Sequence, residues 1–309
     1  MSVATLIPEL LRVGQMLAEN GGEPEVLADR PDGVVVKVAE VVVKAHPTGT
    51  DEEALCDRLR AASSAMLRGV FLAPLSMPDG TLYTRVGERL VTAWPAGTAV
   101  DPQDPDAAPW EAAAHALARL HTTDVTAVFP AGAPPAGGPR RVARAMERLR
   151  RIDHPQAKVV RAAYRSLPAW ATGAAVAPPP SRLRGLTHGD WHLGQVVALA
   201  GSWLLIDVDD LGVGDPSWDL ARPAAWYAAG LLPPEVWRRF LDAYRAAGGP
   251  ALPAEGDPWS VLDIPARALV TQSAALALVT AEREGRGLDE VDTALVTACA
   301  RITSMADVS

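Results

Sequence analysis

Apolar positions at the start of the chain recur near helical spacing. Leu6, Leu10, Leu11, Val13 and Leu17 predict an amphipathic helix, which Gly21-Gly22 ends. The pattern then shortens to that of strands. Val26-Leu27 begins one, Val34-Val35-Val36 makes a second and Val41-Val42-Val43-Lys44 a third, with turns at Asp32-Gly33 and Ala39-Glu40, so a meander is predicted. Thr50-Asp51-Glu52-Glu53 caps a long helix running to about Leu67. Strand-like runs over 81–86 and 89–94 complete a small mixed unit, residues 1–93. Trp94-Pro95-Ala96-Gly97 breaks the pattern, and residues 98–309 read as mostly helical: 110–123, 140–152, 157–167 and several helices after Leu220. The Pro/Ala/Gly-rich stretches 130–141 and 173–181 are expected as loops. A single strand pair, 195–198 with 203–206 around a Gly201 turn, interrupts the helical part, and no internal repeat is seen.

Composition narrows the class. The chain has 309 residues, 49% hydrophobic and 21% charged, which are globular proportions that exclude wholesale disorder. Acids outnumber bases 37 to 29, for a net charge of −8. Such a chain is a poor generic partner for nucleic acid or an anionic membrane and a better one for cationic small molecules. No run approaches 18 consecutive apolar residues, so no membrane span is expected. The N-terminal residues lack a basic region and a small-residue cleavage pattern, so no signal peptide is expected. Cys56 and Cys299 stand far apart, with neither a disulfide framework nor zinc spacing, which fits a reducing cytoplasm. The arginine-rich helix at 140–152 has no interleaved aromatics, and is expected as a solvated face pairing with acids elsewhere. Lysine occurs only three times, at Lys37, Lys44 and Lys158, so one at a motif position is informative.

The chemistry concentrates in 187–221, THGDWHLGQVVALAGSWLLIDVDDLGVGDPSWDLA. From His188 to Ala221 this segment holds six carboxylates, Asp190, Asp207, Asp209, Asp210, Asp215 and Asp219, and no Lys or Arg. Carboxylates packed so densely without partners raise one another's pKa values, and a divalent cation would neutralise them. A solvated acidic loop is the plain alternative, but Asp207 directly follows the apolar run Trp203–Ile206, at a strand end beside a core. His188 and His192 have the spacing of a zinc hydrolase, yet Gly189 stands where that motif needs Glu. Asp207-Val208-Asp209 after a strand suits a phosphatase or glycosyltransferase, but the alternating strands and helices of a parallel sheet are missing.

A third arrangement fits better. HGDWHLGQ resembles the catalytic loop HGDxxxxN of the aminoglycoside phosphotransferase and choline kinase family, within the protein-kinase-like fold. IDVDDLGVGDPSWDLA is similar to that family's metal-binding run, and LARLH at 117–121 to its preceding helix. The resemblance implies an α+β, two-lobed fold, with a small N-terminal β-sheet lobe carrying one long helix, a hinge at 94–97 and a larger helical C-terminal lobe. It implies an O-phosphotransferase using Mg2+ and ATP or GTP. Asp190 would orient the acceptor hydroxyl at the γ-phosphate. Gln195 and Asp207 would hold the metal, and Gln195 stands where most of the family has Asn, as in bacterial maltokinases. Lys44 would pair with the α- and β-phosphates. The backbone of Ala93 and Trp94 would meet the adenine, with Arg30 a phosphate contact. Asp209, Asp210 and Trp191 are further candidates for substrate or second-metal contact, and Trp226-Tyr227 could line the acceptor site. His188 and Asp219 would support the loop. Two features depart from the pattern. One glycine, Gly33, stands where a glycine-rich loop would have three, and of the acids in the helix after Lys44, Glu52 and Glu53 lie early while Asp57 is shorter than the mid-helix Glu that usually partners the lysine.

The expected partners are a nucleoside triphosphate and a small-molecule hydroxyl acceptor, with no nucleic acid or membrane, acting as a monomer or homodimer. The surplus of acid points to a cationic antibiotic, an aminoglycoside or a basic cyclic peptide such as a tuberactinomycin. The alternatives are a sugar or metabolite kinase of maltokinase, fructosamine-kinase or choline-kinase type, and an inactive kinase-like binding protein.

Overall fold

The computed structural model describes residues 3–30, 33–101, 104 and 107–306. In chain order its elements begin with α1 (Val3–Leu17), β1 (Pro24–Arg30), β2 (Gly33–Val38), β3 (Val41–Ala45), α2 (Glu52–Ser63), β4 (Thr84–Val86), β5 (Arg89–Pro95) and β6 (Thr98–Ala99). Next come α3 (Trp110–Thr122), α4 (Val125–Val128), α5 (Pro139–Leu149), α6 (Ala157–Arg165), β7 (Gly185–Thr187), β8 (Val196–Leu199), β9 (Ser202–Leu205) and β10 (Gly212–Gly214). The last are α7 (Ser217–Ala229), α8 (Pro234–Ala246), α9 (Trp259–Glu284) and α10 (Glu290–Ala306). This is a mixed α+β fold, an N-terminal antiparallel sheet with a helix and a larger helical part, and the chain divides into two compact units.

The first unit comprises Met1–Pro109, Val125–Pro134 and Leu193–Asp209. Its main sheet has the order β1-β2-β3-β5-β4, antiparallel throughout. Side chains alternate across a strand, so one face of β2 and β3, through Val34, Val36, Val41, Val43 and Ala45, packs on Leu6 and Leu10 of α1. The opposite parity of β3 carries Lys44, which lies opposite Thr92 of β5. Ala39 takes φ 49° in the β2–β3 turn. Of the predicted β1–β2 turn, Asp32 and its neighbour Pro31 lie outside the described residues. Asp51 caps α2, accepting from the Ala54 N–H at 3.1 Å. The helix stops at Ser63, short of the expected Leu67, because Ser64 is extended, and a separate turn of 3-10 helix spans Ala65–Leu67.

A three-stranded sheet, β6-β8-β9, also belongs to this unit. Sequence pattern alone puts 193–209 with the helical part. The pairing of β8 with β6, and of Leu205 with Val70 and Leu72 through bonds of 2.8 and 2.9 Å, ties it to the N-terminal residues instead. Ala200 and Gly201, at φ 49° and 77°, turn β8 into β9.

The second unit comprises Trp110–Asp124, Pro135–His192 and Asp210–Ser309. Helix α9 runs through it, packed by α5, α6, α7 and α10. By length and composition α9 could cross a membrane, but 61% of its most apolar window is buried within the protein, as in a core helix. Arg239 of α8 grips Glu111 of α3 through two bonds of 2.6 and 3.0 Å. The three-residue strands β7 and β10 pair here without a signal in the sequence pattern. Both are too short to show an alternation.

Candidate active site

In the first unit the reverse face of the main sheet gathers polar groups. Lys44 Nζ lies 2.8 Å from Asp207 Oδ1 and 2.8 Å from Asp209 Oδ2. His46, two residues on and buried, brings Nδ1 to 3.1 Å from Asp209 Oδ1 and Nε2 to 3.0 Å from Thr92 Oγ1, which also accepts from Trp94 Nε1. Burial opposes the Lys44 charge, but Asp207 and Asp209 outweigh it and hold the ammonium pKa above its usual value. Burial likewise opposes the Asp209 charge, yet Lys44 and His46 pull its carboxyl well below the carboxylate range. The lysine therefore takes its carboxylates from the segment after β9. Two acids of α2 are engaged elsewhere: Glu52 bonds Tyr83 and Arg85, and Asp57 pairs with Arg60.

Asp207 leaves β9 with φ 66°, a left-handed conformation uncommon outside glycine. The Gln195 Nε2 lies 3.2 Å from Asp207 Oδ2, and the Gln195 carbonyl accepts from the Ile206 N–H at 3.0 Å. Among the described residues no group of three or more His, Cys, Asp or Glu is placed to hold a metal ion. One carboxylate beside one amide nonetheless suits Mg2+, which takes one or two protein oxygens and completes its shell with phosphates and water. The Gln195 amide would have to turn its oxygen toward such an ion.

In the second unit Asp190 follows β7, and its loop is held from behind. The Asp219 carboxylate, fully buried in the first turn of α7, accepts from the His188 N–H at 2.7 Å and the Gly189 N–H at 2.9 Å. It also meets His121 Nε2 at 2.9 Å. An ionised carboxylate only accepts, so Nε2 carries the proton and Nδ1 accepts from the Tyr244 hydroxyl at 2.7 Å. Gly189 takes φ 87°, and a Cβ there would stand 2.2 Å from the Asp210 carbonyl oxygen, so only glycine fits.

Arginines complete this half. Arg141 Nη2 lies 2.5 Å from Asp190 Oδ2, and Arg222 Nη2 donates to Asp190 Oδ1 at 3.1 Å. Arg141 Nη1 and Arg144 Nη2 both reach Asp210, at 2.5 and 3.3 Å. Asp215 pairs with Arg182 at 2.6 Å. The acidic segment is thus neutralised within the protein by cations outside it, not left unpaired as its composition suggested. Arg141 and Arg144 lie on the helix expected as a solvated face pairing with acids elsewhere, and they do pair with such acids. Burial pushes the Asp190 carboxyl up, against the pull of Arg141 and Arg222, while Asp210 adds to the push.

The remaining candidates are dispersed. Ala93 and Trp94 are buried in β5, and the Ala93 carbonyl accepts from the Leu75 N–H at 2.8 Å. Arg30 is exposed at the end of β1, opposite Gly33. Asp210 serves as a tie between arginines, and its carbonyl accepts from the Gly137 N–H. Trp191 is buried, stacked on Phe240 at 5.4 Å. Tyr227 stacks on Trp237, and Trp226 is exposed.

The family model described as "Phosphotransferase enzyme family" matches residues 23–259, most of the chain. The chain belongs to that family. Three solved structures share the fold of this phosphotransferase. An amicoumacin kinase in complex with AMP-PNP, Ca2+ and Ami has a TM-score of 0.65 at 15% identity, over 98% of this chain and 94% of that one. A choline/ethanolamine kinase family protein from Mesorhizobium loti has a TM-score of 0.59 at 18% identity, over 99% and 95%. A spectinomycin phosphotransferase in complex with ADP and spectinomycin has a TM-score of 0.59 at 12% identity, over 99% of each chain. Among curated proteins no sequence matches.

Sequence reasoning missed three groups that contact the candidate residues: His46 beside Asp209, and the guanidiniums of Arg141 and Arg222 at Asp190. His46 had a signal, since it shares strand parity with Lys44. The arginines had none: no local pattern tells which members of the arginine-rich helix turn inward, as Arg141 does, or that Arg222 of α7 turns back to Asp190.

Proposed function

We propose that the chain transfers the γ-phosphoryl group of ATP or GTP, with Mg2+, to a hydroxyl of a small-molecule antibiotic. The observation that carries this reading is the triad of Lys44, Asp207 and Asp209 in a member of a phosphotransferase family. The nucleotides and antibiotics in the related solved structures support it.

Phosphoryl transfer asks a protein mainly to position reactants and neutralise charge. Lys44 offers the cation for the nucleotide phosphates, exchanging carboxylate oxygens for phosphate oxygens. Asp207 and Gln195 would hold Mg2+, which supplies charge neutralisation to the phosphates when bound. Asp190 accepts the hydrogen bond of the acceptor hydroxyl and directs its lone pair, with its own carboxylate oriented by Arg141 and Arg222. Asp219 keeps the loop backbone in place.

The test is incubation with Mg-ATP or Mg-GTP and a pool of acceptors, read as phosphorylated masses. The pool holds aminoglycosides, tuberactinomycins, macrolides, maltose, choline and fructosamines. A product about 80 Da heavier than one acceptor, the mass of one added HPO3, is expected, and it should be lost in Asp190→Ala. A product that persists in Asp190→Ala would contradict the role of that residue.

A further inference from the structure

The net charge of −8 is not spread evenly along the chain. The first unit holds 9 Lys and Arg against 18 Asp and Glu, and the second 20 against 19. The surplus of acid that points to a cationic acceptor therefore belongs to the unit of Lys44, Asp207 and Asp209. The unit that carries Asp190 is balanced, so its field gives an ammonium no general attraction.

Around Asp190 the balance tips toward cations. Asp190 and Asp210 are met by three guanidiniums, those of Arg141, Arg144 and Arg222. Arg141 spends one Nη on each carboxylate, and Arg222, 17% exposed, holds Asp190. Arg144 differs from both. It meets Asp210 with Nη2 alone, at 3.3 Å, and its side chain is 58% exposed, whereas Asp210 is already held by Arg141 at 2.5 Å. The acid of its own helix, Glu147, pairs with Arg150 and Arg151 instead. Helix α5 buries Val142, Ala145, Met146 and Leu149 and leaves Arg144 and Arg148 exposed, four residues apart on one face.

A guanidinium recognises a carboxylate through paired N–H bonds and repels an ammonium. We infer that Arg144 is a specificity-determining residue, which takes a carboxylate of the acceptor whose hydroxyl Asp190 orients, so that the enzyme prefers hydroxy acids to amino alcohols. The inference rests on the phosphotransfer reading above for the role of the acceptor. Arg141 bridges Asp190 to Asp210, and Asp210 reaches Arg144, so hydroxyl and carboxylate would be held at two neighbouring points that one small molecule spans. An ammonium in the same place would face the Arg144 charge, with Asp190 and Asp210 both already paired. The preference is the reverse of what the net charge of the whole chain suggests.

Gluconate, sorbitol and glucamine share one polyol chain and end in a carboxylate, a hydroxymethyl and an ammonium group. The experiment is calorimetric titration of each into the full chain, wild type and Arg144→Gln, with thermal melts to verify that the variant folds. Gluconate should bind wild type about tenfold or more tightly than glucamine, the factor expected of a charge-assisted hydrogen bond. That preference should vanish in Arg144→Gln, while sorbitol binds both proteins alike. Arg144→Lys, which keeps the charge and loses the fork, should retain part of it. Equal or tighter binding of glucamine would overturn the inference, as would no binding of gluconate or a preference that survives Arg144→Gln. Mg-ATP is titrated in parallel. Weaker Mg-ATP binding in Arg144→Gln with gluconate binding unchanged would assign the guanidinium to the nucleotide and likewise overturn it. Failure of the phosphotransfer reading shows separately, as a wild type that binds gluconate through Arg144 but does not bind Mg-ATP.

Discussion

At Asp190 two guanidiniums and a desolvating pocket pull in opposite directions, and burial prevails, so the carboxyl titrates above the ordinary aspartate range. The folded protein holds this proton more tightly than the unfolded chain. Charging Asp190 therefore costs stability as pH rises from its unfolded value through its raised folded one. If Asp190 orients the acceptor hydroxyl as proposed, transfer needs the carboxylate, and the acid limb of kcat/KM should rise over that same window. Arg222→Met removes one opposing charge and should move the limb to higher pH, which a pH–rate series checks; a limb that stays in place would show that Arg222 does not act on Asp190. Lys44 presents a different balance. Its removal leaves Asp207 and Asp209 side by side without their shared cation. Lys44→Ala is expected to cost about 1–3 kcal/mol, well under the full burial limit because both carboxylates are about one-third exposed. Mg2+ should restore part of that loss in thermal melts, whereas wild type should gain less from the ion.

Among the elements, β2 and β3 were legible because period-2 patterning separates the valines that bury from Lys44. The start of α2 was legible from its Asp51 cap. The loop of Asp190 was legible as a motif, but the means of holding it was only partly so. Asp219 lies 30 residues beyond Gly189, and a helix-opening aspartate gives the bond to the loop only once α7 is docked. The bond from His121 and its support by Tyr244, 123 residues further on, belong to tertiary packing alone. Asp219→Ala strands three buried donors, the His188 and Gly189 amides and the His121 ring. At about 1–3 kcal/mol each it should destabilise the protein by about 3 kcal/mol or more. Asp219→Asn keeps one acceptor oxygen and should lose less. Urea denaturation at fixed pH orders the two variants, and equal stability of both with wild type would remove the anchoring role.

For the whole molecule, the sequence shows a net charge of −8 but not where that charge is spent. The acidic run 188–221 holds no Lys or Arg of its own, and the cations that pair with it range from Lys44 to Arg222 just beyond its end. Lys44 reaches Asp207 across 163 positions, and Arg141 reaches Asp210 across 69. Class and order of motifs are written locally and were readable. Charge pairing is decided by folding and was not. On the proposed function the two units would divide the labour, with nucleotide and metal falling to Lys44, Gln195 and Asp207 and hydroxyl orientation to Asp190. Calorimetric binding of ATP with and without Mg2+, in wild type, Asp207→Ala and Asp190→Ala, tests that division most directly. The account predicts that Mg2+ tightens ATP binding in wild type and in Asp190→Ala, and that this gain is lost in Asp207→Ala. An equal Mg2+ gain in wild type and Asp207→Ala would contradict it.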